Sequence, residues 1–471
     1  MTDPTAWTLV EAADALDAGR ISSRELTEAC LARVARLQPV LNCFIHVDAD
    51  EALAEADAAD VRRARGEPLG PLHGVPLAHK DMYYSAGRLS TCGSKIRRDF
   101  RPEESGTVME RLAVAGAVDL GGLNMSEFAV GPTGHNVHWG HCRNPWNPAH
   151  VTGGSSSGSG SAVGGRLAFG ALGSDTGGSI RLPAGLCGLV GIKATQTRVS
   201  RHGVMGLSFS LDCVGPLTRT VRDCARMLGV VAGFDPKDPT SSREPVDDYE
   251  AAACRPAAKG LRIGVPTSYF YDGAAPEVRA LMEASLAVYR DLGAEIVEVD
   301  IPDPAPMADL AAATMGPESG TLHHAWLRGR PQDYAPQVRA RLEPGLAIPG
   351  TWYLRAQQLR PQMVRQFVDG VFARCDVLHA PTLNVPVPTI AETDLGDTPG
   401  FTQMVARMTH CTRPFNYLTL PAIAVPAGFT ANGLPASFQL IGRPFAEARL
   451  FSVAAAYEAA TDWTRRPPPL D

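Results

Sequence analysis

The chain has 471 residues, of which 45% are hydrophobic and 20% charged, and its formal net charge is −6. This composition is typical of a globular protein, and the length permits one large domain or about two or three smaller ones. No apolar run approaches the ~18 to 20 residues that a membrane span requires, and no long basic block is present to follow a nucleic-acid backbone. We therefore expect neither a membrane nor a nucleic acid as a partner.

The beginning of the chain and the cysteines indicate the compartment. The sequence MTDPTAWTLVEAADALDAG has no basic segment followed by an apolar one, so we expect no export signal. The ten cysteines are scattered and include no C-x-x-C pair, which is typical of reduced thiols. The sequence therefore predicts a cytoplasmic protein.

Helical signals open the chain. Thr8 with Glu11, and Ser22 with Glu25, have the spacing of capping boxes ahead of apolar residues with helical periodicity. A third helix is predicted over residues 49–65.

Short apolar runs then alternate with helical patterns. Residues 74–80 and 117–123 are predicted strands on either side of a helix near 108–115. Further strands are predicted at 261–265, 295–301, 376–380, 422–427 and 438–441. This alternation indicates an α/β sheet with helices on both faces. Residues 235–256 form either a surface loop or a linker, and we favour a loop because similar strands lie on both sides.

A glycine-rich segment, residues 153–188, interrupts this alternation. It reads GGSSSGSGSAVGGRLAFGALGSDTGGSIRLPAGLCG. A flexible linker would lack its apolar residues, so the glycines are expected to lie among core-forming side chains. In that setting glycine allows close backbone approach and leaves N–H groups open, as a backbone anion-binding site requires.

Three chemical groups accompany this segment: Lys80 in GVPLAHKD, Ser155 in GGSSSG and Ser179 in SDTGGSIRLP. Together with SLDCVGPLTRTVRD, beginning at Ser210, and the C-terminal AIAVPAGFTANGLPASFQLIGRP, they resemble the amidase signature family. The resemblance implies that Lys80 is a base, that Ser155 follows a cis peptide bond and relays a proton, and that Ser179 is the nucleophile.

The proposed roles make physical demands on the site. A serine hydroxyl needs a base to remove its proton, and Lys80 can be that base only when neutral. Lowering its pKa from ~10.4 to near ~7.5 disfavours the charged form by about 4 kcal/mol, which burial can supply. The resemblance also implies that the backbone N–H groups of Thr176, Gly177 and Gly178 stabilise the oxyanion. We expect Asp175 and Arg181 to hold that loop.

The resemblance further implies a fold and an activity. The fold is a single large α/β domain over residues 1–471, with a mixed β-sheet core covered by helices on both faces. Residues 1–66 are its helical part, 67–235 the catalytic core, and 236–471 the rest of the sheet with the pocket helices. The activity is hydrolysis of the C–N bond of a small carboxamide, including aryl amides, acylanilides and carbamates, without a cofactor or metal.

Two alternatives to this activity stay open. One is a glutaminase-type subunit of an amidotransferase, which passes ammonia to a partner. The other is a hydrolase of carbamates or urea derivatives. For the main interpretation the expected partners are a small-molecule amide or carbamate and a second copy of the chain in a homodimer.

The pocket that selects the substrate is less clearly marked. Met82, Tyr83, Phe128 and Phe209 are predicted to line it, although ordinary core packing explains each equally well. The variable segments 307–360 and 401–417 are also expected to form its walls. Their aromatic residues favour an apolar or aryl substrate; they are Trp326, Trp352, Tyr353, Phe415 and Tyr417.

Other motifs in the chain carry less weight. Residues 154–158 match the G-x-S-x-G nucleophile elbow, and Gly158, Gly160 and Gly164 resemble a dinucleotide loop, but both motifs need a preceding strand that is missing. The cluster His135, His138, His141 and Cys142 has spacing compatible with zinc. We favour a turn-rich loop there and predict no metal.

Overall fold

The computed structural model describes residues 3–396 and 398–470. Its centre is one ten-stranded sheet with the order β2-β1-β3-β5-β4-β9-β10-β8-β6-β7. The strands are β1 Pro76–Lys80, β2 Val118–Leu123, β3 Gly170–Asp175, β4 Val190–Lys193, β5 Cys213–Thr218, β6 Arg262–Pro266, β7 Glu295–Val299, β8 Val377–Pro381, β9 Ala422–Phe429 and β10 Pro435–Ile441. The predicted α/β fold with a mixed central sheet is confirmed.

The sheet is parallel at both ends and antiparallel in the middle. Strands β2, β1 and β3 run parallel, as do β8, β6 and β7. The five pairings from β3 through β5, β4, β9 and β10 to β8 are antiparallel. Every residue of β1, β3, β5 and β10 is buried, which is typical of strands covered by helices on both faces.

The α-helices of the described residues are α1 Leu9–Asp17, α2 Ser23–Leu41, α3 Ala49–Ala64, α4 Thr107–Val114, α5 Ser157–Gly164, α6 Arg181–Leu186, α7 Val221–Val231, α8 Tyr249–Ala253, α9 Pro276–Asp291, α10 Ala305–Gly329, α11 Pro336–Leu342, α12 Gly350–Arg374, α13 Ile390–Thr393, α14 Pro399–Thr409, α15 Arg413–Tyr417 and α16 Glu447–Ala459. Short 3₁₀ helices lie at Pro4–Ala6, Lys95–Arg97, Glu127–Ala129, Pro331–Asp333, Glu343–Ala347 and Trp463–Arg465. None of the helices in the described ranges is long and apolar enough to cross a membrane.

Most of the elements predicted from the sequence are confirmed. Both capping boxes form, at the starts of α1 and α2. All seven predicted strands are present, with ends that differ by a few residues, as β1, β2 and β6 to β10. Segment 235–256 contains the short helix α8 and lies between strands of the same sheet, so the loop interpretation is correct.

The topology brings three strand ends to one edge of the sheet. Lys80 ends β1 and Asp175 ends β3, and these neighbouring strands are parallel. Strand β5 is antiparallel to β3 and pairs Cys213 with Asp175, so the preceding residue, Asp212, lies at the same edge. Side chains that are far apart in the sequence therefore meet there.

Candidate active site

Lys80 is a buried lysine held between two serines. Its side chain is 1% exposed, and Nζ donates hydrogen bonds to Ser155 Oγ at 2.7 Å and Ser174 Oγ at 2.8 Å. Burial lowers the pKa of Lys80 to about 7, although the charges of Asp212 and Asp175 act in the opposite direction. A substantial fraction of the amine is therefore neutral near pH 7, the form that can accept a proton.

Ser155 lies between Lys80 and the glycine-rich loop. It is fully buried, and the peptide bond that joins it to Gly154 is cis. Its carbonyl oxygen accepts a hydrogen bond of 3.1 Å from the Ser126 N–H. These contacts place its hydroxyl against the lysine amine.

Ser179 follows the tight turn after β3 and is partly exposed. Its carbonyl oxygen accepts a hydrogen bond of 3.4 Å from the N–H of Ser156, the residue after Ser155. Within the described residues, the Ser179 hydroxyl has no hydrogen bond, and none joins it to the Ser155 hydroxyl. The structure thus joins Lys80 to Ser155 directly and brings Ser179 beside them through the backbone.

A buried ion pair holds the Ser179 loop. The Asp175 carboxylate accepts hydrogen bonds from the N–H groups of Gly178, at 2.7 Å, and Ile180, at 3.2 Å. It also pairs with the Arg181 guanidinium at 3.1 Å, and both side chains are completely buried. Burial acts to raise the pKa of Asp175, but the Arg181 charge and the hydrogen bonds hold it well below its usual range. The predicted role of Asp175 and Arg181 in holding the loop is confirmed.

The backbone donors differ in one respect from the expected anion hole. The Gly178 N–H already donates to Asp175 Oδ1 at 2.7 Å, so its place in the anion hole stays a prediction. The N–H groups of Thr176 and Gly177 have no acceptor in the described part of the chain. Gly178 has a φ of +130°, and a Cβ there would collide with the Thr412 hydroxyl, so the turn requires glycine.

Two polar residues of the site are missing from the sequence prediction. Ser174 supplies the second acceptor for Lys80. Asp212 accepts hydrogen bonds from the Thr176 hydroxyl and from the N–H groups of Leu207 and Ser208. The available signal was their position, because Ser174 lies within the SDTGGS motif and Asp212 within SLDCVGP.

A cavity of ≈ 40 Å³ opens beside Ser179. Its walls include Ser179, Thr176 and Gly177, together with residues from five more distant parts of the chain. The distant lining residues are Ala129, Gly131, Pro132, Leu207, Leu211, Ala311, Ala312, Met315, Arg341, Val405, Thr409 and Arg413. Segments 307–360 and 401–417 therefore contribute walls, as predicted, but through aliphatic residues, a threonine and two arginines rather than through their aromatic residues.

The four residues predicted to line the pocket lie outside this cavity. Met82, Tyr83 and Phe128 are buried; the Tyr83 hydroxyl donates to the Gly173 carbonyl at 2.7 Å, and Phe128 stacks on Trp326 with ring centroids 5.4 Å apart. Phe209 is 50% exposed. The first three pack in the protein interior and the fourth faces solvent, so the structure does not bring this set to Ser179.

The histidine cluster is divided among different partners. His138 contacts Glu127 at 3.1 Å. One ligand atom each from His135, His141 and Asp394 lies within 4.8 Å of the others, a spacing that a metal ion could use. However, His141 Nδ1 accepts a hydrogen bond from a backbone N–H, so its neutral ring carries the proton on Nε2, the atom 3.5 Å from Asp394. This donor set fits a hydrogen-bonded loop better than a metal site.

The chain is similar to known proteins over nearly its whole length. The family model described as "Amidase" matches residues 25–451. A glutamyl-tRNA(Gln) amidotransferase subunit from Chloroflexus aurantiacus (strain J-10-fl) is 42% identical, with 99% of each chain covered. A solved protein from a vestigial complex connected with the origins of an s-triazine catabolic enzyme has a TM-score of 0.90 at 35% identity, over 96% of this chain and 98% of that one. The peptide amidase PAM has a TM-score of 0.86 at 30% identity, over 98% of both chains.

These relatives correct the expected partners. The sequence predicts only a small-molecule substrate and a second copy of this chain as partners. The Chloroflexus relative is named as one subunit of an amidotransferase, so that expectation, which includes no other protein, is wrong. The resemblance seen in the lysine and serine motifs is confirmed, and the chain belongs to the amidase family.

Proposed function

We propose that this protein hydrolyses the C–N bond of a carboxamide through an acyl-enzyme on Ser179. The observation that carries the proposal is the buried Lys80, whose Nζ lies 2.7 Å from the Ser155 hydroxyl and whose pKa burial lowers to about 7. A neutral amine in this position is a base that can activate a serine through a second serine. Ser179, Thr176 and Gly177 line one cavity.

The first half of the reaction forms the acyl-enzyme. Ser155 transfers its proton to Lys80 and takes the proton of Ser179, whose oxygen forms a bond to the substrate carbonyl carbon. The carbonyl oxygen becomes negatively charged and accepts hydrogen bonds from the Thr176 and Gly177 N–H groups. The C–N bond then breaks as the proton returns from Lys80 through Ser155 to the leaving nitrogen, which departs as ammonia or an amine.

The second half releases the acyl group. Water attacks the acyl carbon, and its proton passes along the same path to Lys80. The bond between the acyl carbon and the Ser179 oxygen breaks, Ser179 regains a proton, and a carboxylic acid leaves. No atom or electron is left over, and the side chains return to their starting state.

A second candidate concerns the purpose of this hydrolysis. The 42% identity to a glutamyl-tRNA(Gln) amidotransferase component over almost the entire chain favours a glutaminase-type subunit, which releases ammonia from glutamine for use by a partner protein. The chemistry at Ser179 is the same in both candidates. They differ in the amide that is cleaved and in the need for a partner, and in either case the unpaired cysteines fit a cytoplasmic setting.

The test is a hydrolysis panel with a matched serine variant. Ammonia or amine release is measured for glutamine, aliphatic amides, anilides and carbamates with the wild type, Ser179→Ala and Ser159→Ala. Ser159 lies in the same segment but donates to the Leu172 carbonyl. The proposal expects Ser179→Ala alone to abolish turnover. Wild-type turnover by Ser179→Ala on every substrate cleaved would overturn it, and a clear preference for glutamine would favour the amidotransferase candidate.

A further inference from the structure

Two arginines line the cavity that contains Ser179. Arg341 comes from α11 and Arg413 from the start of α15, parts of the chain that are far apart in sequence. Both are partly buried. Most of the other lining residues beyond the Ser179 loop are aliphatic, and they include Leu211, Ala311, Met315 and Val405.

Neither arginine is neutralised by a neighbour in the described part of the chain. No ion pair or side-chain hydrogen bond is formed by Arg341 or Arg413 there. Asp309, an exposed residue of α10, attracts Arg413 electrostatically but does not line the cavity. By contrast, Arg339 on the same helix as Arg341 forms an ion pair of 2.6 Å with Glu343.

Two unpaired guanidinium groups in one small cavity are unfavourable without an anion. Burial lowers the pKa of both side chains, that of Arg341 to about 10 with a further contribution from the Arg413 charge. A guanidinium nevertheless stays positively charged at neutral pH in proteins. A guanidinium binds carboxylates through paired N–H donors, and such charge-assisted hydrogen bonds are stronger than neutral ones.

We propose that Arg341 and Arg413 form an anion subsite that selects amides whose acyl part carries a carboxylate. This inference rests on the proposed function, because it places the carboxylate in the cavity from which Ser179 attacks the amide. Among the described residues that line the cavity, none is acidic. A free ammonium group beside the carboxylate would lack a counter-charge there, so the preferred substrate is the monoamide of a dicarboxylic acid without an amino group.

The predicted preference distinguishes three substrates of similar length. Glutaramate carries the carboxylate alone, glutamine adds an ammonium group, and pentanamide replaces the carboxylate with a methyl group. We expect kcat/KM to be highest for glutaramate and roughly 10- to 100-fold lower for pentanamide, the factor that one or two charge-assisted hydrogen bonds supply. Equal kcat/KM for glutaramate and pentanamide, or a preference for glutamine, would overturn the inference.

Variants assign the preference to the two arginines. Arg341→Gln and Arg413→Gln should raise KM for glutaramate roughly 10-fold or more, while kcat/KM for pentanamide stays within about twofold. Arg413→Lys keeps the charge but not the paired donors. Its KM for glutaramate should therefore lie between the values of the wild type and Arg413→Gln. Arg339→Gln is the matched control and should leave all values unchanged. An equal relative loss of kcat/KM for glutaramate and pentanamide would indicate a structural role of the arginines and contradict the subsite.

A binding measurement separates this inference from the proposed function. Calorimetric titration of the Ser179→Ala variant with glutarate requires no turnover. We expect binding that weakens roughly 10-fold or more when Arg341→Gln or Arg413→Gln is added. Binding without any amide turnover by the wild type would refute the proposed hydrolysis and keep the anion subsite. Turnover at Ser179 without glutarate binding would refute the anion subsite and keep the proposed hydrolysis.

Discussion

Replacing Lys80 with methionine should make the protein more stable at neutral pH while abolishing hydrolysis. The buried Lys80 has a pKa of about 7, compared with ~10.4 in an unfolded chain. Holding the amine in this environment at pH 7 costs about 4 kcal/mol by that difference. Loss of the donor to the Ser155 and Ser174 hydroxyls costs about 1–3 kcal/mol, which leaves a net stabilisation of about 1–3 kcal/mol.

The sign of the pH dependence follows from proton binding. Between about pH 8 and about pH 10 most unfolded wild-type molecules carry a proton on Lys80 that the folded protein lacks. The free energy of unfolding therefore gains about 1.4 kcal/mol per pH unit from this group as the pH rises. The methionine variant has no such contribution, so its advantage shrinks and reverses as the pH increases.

Urea denaturation of both proteins at several pH values between 7 and 9.5 measures this difference. Lys259→Met is the control, because it makes the same chemical change at an exposed position. Its difference from the wild type should not vary with pH. If the Lys80→Met difference is also constant over this range, the pKa of Lys80 is not lowered and the reasoning is refuted.

Three further substitutions test the surroundings of the site. Asp175→Asn leaves the buried Arg181 charge unpaired, so the free energy of unfolding measured in urea should fall by about 3–5 kcal/mol; wild-type stability would contradict the role of this ion pair. Ser174→Ala removes one acceptor from the Lys80 ammonium, so the acidic limb of the kcat/KM profile should move to lower pH, and an unmoved limb would count against the contact. Gly178→Ala forces a methyl group against a neighbouring hydroxyl at a φ of +130°, which should cost about 1–3 kcal/mol and reduce the hydrolysis rate; an unchanged rate would show that the turn tolerates a side chain.

The sequence predicts seven of the ten strands and misses β3, β4 and β5, which are neighbours in the sheet. Strand β9, AIAVPAGF, is an apolar run and strand β7, EIVEV, alternates, and local sequence reveals both patterns. Strand β3 reads GALGSD and lies in the glycine-rich segment, so its composition suggests a loop. In the structure a Cβ at Gly173 would lie 2.7 Å from the Ser156 Oγ. Close packing against Ser156, the residue before α5, therefore explains the glycine, and that packing is not visible in the sequence.

In the site, too, the sequence predicts the residues that stand in local motifs and misses those that only the packing of distant segments brings together. Lys80, Ser155 and Ser179 stand in motifs, so a resemblance identifies them. Arg341 and Arg413 approach Ser179 only because two helices from distant segments meet at one cavity. Proximity in the sequence is also a poor guide in the other direction, because Tyr83 lies three residues from Lys80 and yet bonds to the Gly173 carbonyl.

The central claim is that Ser179 carries the acyl group. Rapid acid quenching during turnover of an activated ester of glutaric acid, followed by peptide mass mapping, would locate the covalent intermediate. The account predicts a glutaryl adduct on the peptide that contains Ser179, and none in Ser179→Ala. An adduct on Ser155 would contradict this claim. So would turnover that begins with a burst of product but leaves no adduct on Ser179.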